Sequence, residues 1–387
     1  MDRELISRGL RDSICEAWQY FPVVTITGPR QSGKTTLCRE LFPDLHYINL
    51  EDADVREQMI KDTRYYLNKY KEGLIIDEAH NYPELFSYIQ TQVDEDRNKK
   101  YVLTGSSNFS LLEKITQSLA GRTVVFTLLP LSLNELGERI NNFSTDTLIL
   151  RGGYPAVWAY NTPLNMLFRN YYTTYIERDV RQIINIKNMI DFQTFIRLCA
   201  GRVGTECNAS ALANEVGVSV HTVNSWFSTL AASYIAYLLP PYFENIGKRA
   251  VKTPKLYFYD TGLACYLLGI ENELQLSTHP LRGALFENLV VNEAMKNRLN
   301  RGEDPNLYFY KDRSQKEVDL LFTHSNLIDA YEIKSSQTYH GEFYKGLNYL
   351  KSLFKDRIKK TALIYDGTQE SDAEDNGACN FRNFYLK

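Results

Sequence analysis

Residues 28–35 read Gly28-Pro29-Arg30-Gln31-Ser32-Gly33-Lys34-Thr35, and this stretch decides the fold. It follows the apolar run 23–27, which predicts a buried strand, and it opens a stretch with a helical pattern. Glycines let the backbone curl so that successive N–H groups point at one anion, and the helix that begins at Lys34 adds its positive end. The spacing G-x-x-x-x-G-K-[ST] in this context therefore predicts a phosphate-binding loop.

The loop predicts ATP and Mg²⁺ as the cofactors. We expect the Lys34 ammonium to reach the β- and γ-phosphates and the Thr35 hydroxyl to ligate Mg²⁺. A chance glycine-rich turn is the alternative, and the agreement of motif, strand and helix disfavours it. The residues expected to contact ATP are Gly28, Pro29, Arg30, Gln31, Ser32, Gly33, Lys34, Thr35 and Thr36.

A second apolar run, 74–76, ends in Asp77-Glu78. We expect Asp77 to hold Mg²⁺, directly or through water, and Glu78 to polarise the attacking water as a general base. The alternative for Glu78 is an exposed loop acid without a catalytic role. Residues 77–80 also spell Asp-Glu-Ala-His, a helicase box, but the remaining helicase motifs are missing from this chain.

Apolar runs alternate with amphipathic stretches over the first 130 residues, which predicts an α/β fold with a parallel sheet covered on both faces. Polar residues at the tip of the fourth strand are candidates to bind the γ-phosphate or its water, namely Ser106, Ser107 and Asn108. Asn108 is slightly preferred as a catalytic residue, with plain turn chemistry as its rival.

Arg122 comes just before the fifth apolar run. An arginine at a subunit edge can reach a neighbour's γ-phosphate and stabilise charge in the transition state. We therefore expect a homo-oligomer in which Arg122 is supplied in trans. An ordinary surface ion pair is the alternative.

Composition limits the class of protein. The chain has 387 residues, of which 44% are hydrophobic and 24% charged, and these values exclude a disordered chain and a collagen-like fibre. A net charge of −3 disfavours a generally basic nucleic-acid coat. The six cysteines are scattered without a Cys-x-x-Cys pair, which predicts reduced thiols in a cytoplasmic protein. No apolar run approaches the ~20 residues of a membrane span, so we expect no membrane partner.

Changes of pattern predict four domains: alternating strands and helices (1–130), a mostly helical segment (131–204), a helix-turn-helix followed by a β-hairpin (205–278) and a last segment with helices and strands (279–387). In the third, 210–216 and 220–230 are expected to form a helix-turn-helix with Ser219 as the N-cap of the second helix. That second helix offers no Lys or Arg. The basic residues follow it where a wing would be, at Lys248, Arg249, Lys252 and Lys255.

The wing makes DNA a possible partner through its phosphates, with Lys248, Arg249 and Lys252 as the contact candidates. The competing role for this domain is protein–protein packing beside the ATPase core.

Carboxylates and a lysine recur in the last domain. Glu287 opens a helical pattern, Glu317 and Asp319 lie in one predicted strand, and Glu332 and Lys334 lie on one face of a second. A hairpin of these strands would bring Asp319 beside Glu332. Converging carboxylates can hold Mg²⁺ or Mn²⁺ for phosphodiester hydrolysis, with Lys334 as a catalytic residue that orients the water or neutralises developing charge. The alternative is a solvated strand face or an inactive remnant.

At this point the chain resembles the prokaryotic AAA-superfamily ATPases that carry a C-terminal domain of unknown function. The matching stretches include 28–36, 47–52, 76–78, 103–107, 119–122, 152–155, 175–180 and 317–319. The resemblance implies that the four domains are a P-loop ATPase core (1–130), a helical lid (131–204), a winged helix (205–278) and a PD-(D/E)XK nuclease-like domain (279–387). It also implies a lid sensor arginine, for which Arg151 and Arg178 are candidates. The order Glu287, Asp319, Glu332-x-Lys334 resembles the PD-(D/E)XK nuclease superfamily.

The sequence therefore predicts an ATPase of this class with three possible larger roles. The first is a nucleic-acid enzyme in which ATP gates a nuclease. The second is an ATP-controlled switch whose last domain only grips DNA. The third is a protein-directed assembly switch with a silent nuclease-like domain.

Overall fold

The computed structural model describes residues 5–106, 118–180, 189–242 and 253–385, with the backbone alone at 177–180. Its contacts divide the chain into two compact units. Unit 1 consists of Met1–Leu131, Ala232–Tyr234 and Leu299–Glu303. Unit 2 consists of Ser132–Ala231, Ile235–Arg298 and Asp304–Lys387.

Unit 1 is built on a five-stranded sheet in the order β2-β3-β4-β1-β5, and all its paired strands run parallel. The strands are β1 (Val23–Thr27), β2 (His46–Asn49), β3 (Leu74–Asp77), β4 (Tyr101–Gly105) and β5 (Thr123–Thr127). The α-helices described in this unit are α1 (Arg11–Tyr20), α2 (Lys34–Leu41), α3 (Ala53–Lys61), α4 (Thr63–Lys69) and α5 (Leu85–Glu95).

Both faces of this sheet are covered by side chains. Val24 and Ile26 of β1 belong to one hydrophobic cluster, together with Leu37 of α2. Leu74 and Ile76 of β3 belong to a second cluster, which includes side chains of α5. Alternate residues of a strand point to opposite faces, so each run of apolar residues supplies both clusters. The parallel sheet leaves the loops after β1, β3 and β4 at its carboxyl edge, where ligands bind in folds of this kind.

Unit 2 begins with a mainly helical segment. Tyr154, Phe168 and Tyr171 pack their rings together in its core, with centroid separations of 5.0–6.2 Å. The helices before the helix-turn-helix are Leu133–Leu136, Thr145–Arg151, Pro155–Ala159, Leu164–Tyr171, the π-helix Tyr172–Val180 and Met189–Ala200. Later in the unit come Thr261–Leu267, Glu273–Ser277, Arg282–Leu299 and Lys345–Phe354.

A helix-turn-helix comes after the helix Met189–Ala200 and is formed by Ala209–Val216 and Val220–Ala232. Gly217 ends the first helix in the left-handed region at φ 82°. The Ser219 hydroxyl accepts a hydrogen bond from the backbone N–H of Thr222 at 3.0 Å, as expected of an N-cap. Strand β6 (Ala236–Leu239) then pairs antiparallel with β7 (Lys255–Phe258). The winged-helix assignment itself stays a prediction, because Lys248, Arg249 and Lys252 lie outside the described residues.

The second sheet of unit 2 is mixed, in the order β12-β11-β10-β9-β8. Its strands are β8 (Leu307–Lys311), β9 (Glu317–His324), β10 (Leu327–Lys334), β11 (Ile358–Tyr365) and β12 (Gly377–Asn380). β9 and β10 form the expected antiparallel hairpin, whereas β10, β11 and β12 pair parallel. The helix Lys345–Phe354 covers one face through Leu347 and Leu350.

The structure confirms the predicted fold class: a parallel P-loop-type sheet, helical regions and a C-terminal α/β domain. The four domain boundaries stay predictions, because the contacts divide the chain into two units. All six cysteines are free thiols. No helix in the described part of the chain has the length and apolar character needed to cross a membrane.

Candidate functional site

The phosphate-binding loop joins β1 to α2, as predicted. Gly28 has φ 144°, and a Cβ built there would lie 2.2 Å from the carbonyl oxygen of Leu128, so only glycine fits. Gly33 adopts the left-handed conformation at φ 96° and immediately precedes α2. The loop therefore needs glycine at both motif positions, and it ends where the backbone N–H groups of the first helical turn are free to meet an anion.

The Lys34 side chain folds back into this loop. Its ammonium donates to the carbonyl oxygens of Gly28 at 2.9 Å and Pro29 at 2.8 Å. Lys34 is only 6% exposed, and burial lowers its pKa. Within the described residues, the buried hydroxyl of Ser32 has no hydrogen-bond partner. An ammonium held by carbonyl dipoles, next to an unsatisfied hydroxyl, fits a phosphate as the missing partner.

The candidate magnesium ligands Thr35 and Asp77 lie side by side. The Thr35 hydroxyl donates to Asp77 Oδ2 at 2.7 Å, and the Tyr47 hydroxyl donates to the same oxygen at 2.7 Å. Thr104 donates to the other carboxylate oxygen. Burial and the hydrogen bond to Asp77 raise the pKa of Tyr47, so it remains a donor. A hydroxyl beside a carboxylate is the ligand chemistry that Mg²⁺ prefers, so this pair fits the ion.

Glu78 lies just beyond the end of β3 in a left-handed conformation, at φ 51° and ψ 45°. Its carboxylate accepts hydrogen bonds from the backbone N–H and the hydroxyl of Ser106, at 3.1 and 3.2 Å. His80 Nδ1 lies 3.2 Å from the same oxygen, and burial lowers the pKa of this imidazole. The Glu78 side chain is 15% exposed, which argues against a freely exposed loop acid. Ser107 and Asn108 lie outside the described residues.

The carboxylates predicted in the last domain do converge. Asp319 on β9 accepts a hydrogen bond from the Ile333 N–H at 2.8 Å, so its side chain lies against β10. Lys334 Nζ lies 2.6 Å from Glu332 and 3.4 Å from Asp319. Burial and the charge of Asp319 raise the pKa of Glu332 to about 8. The expected Glu-x-Lys geometry is therefore present.

A lysine that the sequence analysis grouped with the wing lies among these carboxylates. The Lys255 ammonium is 2.9 Å from Glu287, 2.5 Å from Glu317 and 3.8 Å from Asp319. Its side chain is 3% exposed, so Lys255 is not available to DNA as a surface cation. Burial acts to lower its pKa, but the charges of the three carboxylates outweigh burial and raise it.

This arrangement does not fit a divalent metal. In the part of the chain that the structure describes, no three His, Cys, Asp or Glu side chains are grouped so that they could hold a metal ion. Glu287 also accepts a hydrogen bond from the Tyr257 hydroxyl at 2.5 Å, and burial raises the pKa of Glu287. The predicted metal ligands Glu287, Asp319 and Glu332 thus each accept a hydrogen bond from a protein donor, while Oε2 of Glu332 has no partner within the described residues.

Comparison with known proteins gives the family. A model of the AAA domain matches residues 20–137, and two domains of unknown function, DUF8612 and DUF4143, match residues 142–274 and 282–384. Uncharacterized proteins of Mycobacterium tuberculosis and Mycobacterium bovis are each 31% identical over 322 residues, which are 82% of this chain and 71% of theirs. This chain belongs to the AAA-superfamily P-loop ATPases with a C-terminal domain of unknown function.

Solved structures similar to this AAA-superfamily member include the Walker-type ATPase of Pyrococcus abyssi, with a TM-score of 0.45 and 16% identity. That alignment covers 69% of this chain and 97% of the other. A single-residue variant of RuvB from Thermotoga maritima has a TM-score of 0.30 and 17% identity, covering 60% of this chain and 86% of the other.

Arg122 lies at the opposite edge of the unit 1 sheet from the phosphate-binding loop. It immediately precedes the amino end of β5, whereas the loop follows the carboxyl end of the adjacent parallel strand β1. Its guanidinium pairs with both carboxylate oxygens of Asp94, at 2.6 and 2.8 Å. Arg122 therefore cannot reach the phosphate-binding loop of its own chain. Within one chain it makes an ordinary surface ion pair with Asp94, which was the alternative to a catalytic role.

Of the two candidates for the lid sensor arginine, the structure describes the side chain of Arg151 alone. The Arg151 guanidinium carbon lies 4.8 Å from the Phe143 ring centroid and 4.7 Å from that of Trp158. Arg151 also donates to the Val157 carbonyl at 2.9 Å. The Arg178 side chain lies outside the described residues. Arg151 is thus engaged by aromatic neighbours within unit 2, and the choice of sensor stays a prediction.

Sequence reasoning missed Arg8 as a contact of the phosphate-binding loop. Its guanidinium donates to the Ser32 carbonyl at 2.6 Å and to the Leu129 carbonyl at 2.6 Å. These contacts tie the phosphate-binding loop to the segment after β5. Arg8 precedes any recognisable motif, and no local pattern connects it with Ser32.

Proposed function

We propose that this chain binds and hydrolyses MgATP. The observation that carries the proposal is the buried Lys34 ammonium, which meets two loop carbonyls beside the Thr35–Asp77 pair. Lys34 would exchange these carbonyl contacts for the β- and γ-phosphates, and the backbone N–H groups at the start of α2 would bind the remaining phosphate oxygens. The fit rests on charge: a buried cation whose direct contacts are carbonyl oxygens is stabilised by an anionic ligand.

Thr35 and Asp77 are the residues that would hold Mg²⁺. When bound, the ion neutralises charge that develops on the phosphate oxygens. Tyr47 and Thr104 both donate to Asp77, so the carboxylate is oriented by two hydroxyl groups. Oriented ligands of this kind tune affinity and geometry at metal sites.

Glu78 is the proposed general base. Ser106 donates to it twice and so orients its carboxylate at the carboxyl edge of the sheet. The Glu78 carboxylate would accept a proton from the attacking water while Lys34 stabilises charge on the γ-phosphate. His80 Nδ1 lies 3.2 Å from the same carboxylate, so His80 is a direct neighbour of the proposed base.

The variant Glu78→Gln separates binding from hydrolysis. The amide keeps the shape of the side chain but cannot accept the proton, so we expect turnover to fall by about 10²-fold or more with nucleotide affinity within a few-fold of wild type. Fluorescent-nucleotide titration and phosphate release measure the two quantities. Wild-type turnover in Glu78→Gln would remove Glu78 from the mechanism, and loss of binding would make its role structural.

We also propose a homo-oligomer in which Arg122 serves the ATP site of a second copy. The topology supports this, because Arg122 and the loop of one chain lie at opposite edges of the same sheet. The guanidinium would leave Asp94 and stabilise charge on the γ-phosphate of the neighbour. Asp94 is 47% exposed, so the ion pair costs little to break.

Subunit mixing tests the trans arrangement. Lys34→Ala and Arg122→Ala chains are each expected to be nearly inactive, but a mixture contains interfaces with an intact loop on one chain and an intact arginine on the next. Random assembly of equal amounts gives about a quarter of such interfaces, so we expect turnover to return to about that fraction. A mixture as inactive as its components would contradict the proposal.

For the larger role, an ATP-driven assembly switch is the function that the geometry supports best. DNA remains a possible partner through Lys248, Arg249 and Lys252. A nuclease-like role of the C-terminal domain is the second candidate, favoured by the placement of Lys334 between Glu332 and Asp319. It ranks second because Lys255 lies where the carboxylates converge.

A further inference from the structure

We infer that Lys255 is an internal cation that closes the C-terminal carboxylates to divalent metals and makes the nuclease-like site latent. The C-terminal carboxylate cluster is defined here as Glu287, Glu317, Asp319 and Glu332. The inference concerns the second candidate function and leaves the ATP site of unit 1 untouched.

The position of the ammonium excludes a metal ion at the same place. Lys255 Nζ is 2.9 Å from Glu287, 2.5 Å from Glu317 and 3.8 Å from Asp319. The ring of Phe309 faces it with its centroid at 5.4 Å. Divalent ions bind carboxylate oxygens at about 2.0–2.6 Å, and this ammonium already occupies the oxygens of Glu287 and Glu317 that such an ion would need. Two cations in this space would also repel each other strongly, because the site is buried.

The charges of the cluster are already nearly balanced. Lys334 contacts Glu332 at 2.6 Å and Asp319 at 3.4 Å. Lys311 contacts Glu317 at 3.1 Å from the rim, where it also contacts Glu206 at 2.6 Å. Three lysines thus face four carboxylates of the cluster, so little uncompensated negative charge remains to attract a divalent ion.

Lys255 comes from a different element than the carboxylates. It is the first residue of β7, whose backbone pairs with Leu239 of β6 in the hairpin that follows the helix-turn-helix. The carboxylates come from the helix Arg282–Leu299 and from β9 and β10. The β6–β7 pair therefore supplies the cation, and the helix Arg282–Leu299 with β9 and β10 supplies the carboxylates.

The test is a titration of MnCl₂ into the nucleotide-free full chain, followed by calorimetry. The variants are wild type, Lys255→Met, and Lys311→Met as the matched control, since Lys311 contacts Glu317 without lying at the centre of the cluster. We expect Lys255→Met to bind one more Mn²⁺ per chain than wild type, and Asp319→Asn in the Lys255→Met background to abolish that gain. Lys311→Met should gain nothing. Mn²⁺ bound at the phosphate-binding loop is common to all variants.

Two results would overturn the inference. One is Mn²⁺ binding by the wild-type chain that Asp319→Asn removes. The other is a Lys255→Met chain with wild-type ATP turnover and a cooperative thermal transition that gains no Mn²⁺. If Lys255→Met does not fold, the wild-type and Asp319→Asn titrations still decide. Because ATP turnover is followed in each variant, failure of the ATPase proposal is visible separately from failure of this one.

Discussion

Lys34 in unit 1 and Lys255 in unit 2 are both buried lysines, but their ammonium groups have opposite surroundings. Lys34 meets two backbone carbonyls, and burial lowers its pKa. Lys255 meets three carboxylates, whose charges outweigh burial and raise its pKa. The first cation is held by carbonyl dipoles of the loop, and the second is already neutralised by the protein.

The difference shows how the same residue type gives a binding site in one place and a structural ion cluster in another. Burying a charge is costly, and the cost is recovered either by a ligand or by charges of the protein itself. For Lys34 the compensation would arrive with ATP. For Lys255 it is built into the fold through Glu287, Glu317 and Asp319. Removal of each lysine should therefore change a different property.

The largest effect is expected on stability, from Lys255→Met. Removing one partner of a buried ion pair leaves its carboxylates uncompensated and costs about 3–5 kcal/mol of the free energy of unfolding. Lys311→Met, which removes a partly exposed lysine from the rim of the same cluster, should cost about 1 kcal/mol or less. Urea unfolding of the full chain measures both. Equal losses of unfolding free energy in the two variants would mean that the central position of Lys255 adds nothing to stability.

A smaller effect is expected on nucleotide binding, from Lys34→Ala. Loss of one charged donor to the phosphates should weaken MgATP binding or turnover by about 10²–10³-fold. Lys100→Ala is the matched control, since Lys100 also donates to two carbonyls, of Trp18 and Phe21. It precedes β4 at the opposite edge of the sheet from the loop. Fluorescent-nucleotide titration should separate the two variants, and an equal loss in both would point to general destabilisation.

The smallest effect is expected from Tyr47→Phe. The Tyr47 hydroxyl donates to Asp77 at 2.7 Å, so its loss removes one of the groups that orient the carboxylate. We expect a cost of about 1 kcal/mol, seen as a several-fold rise in the Mg²⁺ concentration needed for half-maximal turnover at saturating ATP. The maximal rate should change little. A drop in maximal rate without a shift in Mg²⁺ dependence would place Tyr47 in the chemical step instead.

Local patterns allowed much of the fold to be predicted. The apolar runs at 23–27 and 74–76 correspond to β1 and β3 within one residue, because buried parallel strands appear in the sequence as continuous apolar segments. The Ser219 cap was predictable for a similar reason, since capping depends on residues three apart. The roles of Asn108 and the wing residues stay predictions, because these positions lie outside the described residues.

The contacts that sequence reasoning missed join distant segments. Arg8 reaches Ser32 and Leu129, which lie 24 and 121 residues away in the chain, and no periodicity connects these positions. Lys255 stood among basic residues in the sequence and was grouped with the wing. Lys255 is buried because β7 pairs with β6 and because Glu287 contacts its ammonium. Local sequence patterns reveal neither of these contacts. The sequence correctly indicated that the carboxylates converge. It grouped Lys255, which neutralises them, with the basic residues of the wing.

The central claim is that the loop around Lys34 is a working ATP site. Steady-state phosphate release from MgATP by the full chain tests it most directly, with wild type, Lys34→Ala and Lys100→Ala measured over a range of protein concentrations. The account predicts turnover by wild type and Lys100→Ala, and loss of about 10²-fold or more in Lys34→Ala. Turnover per chain that is equal in wild type and Lys34→Ala would contradict it.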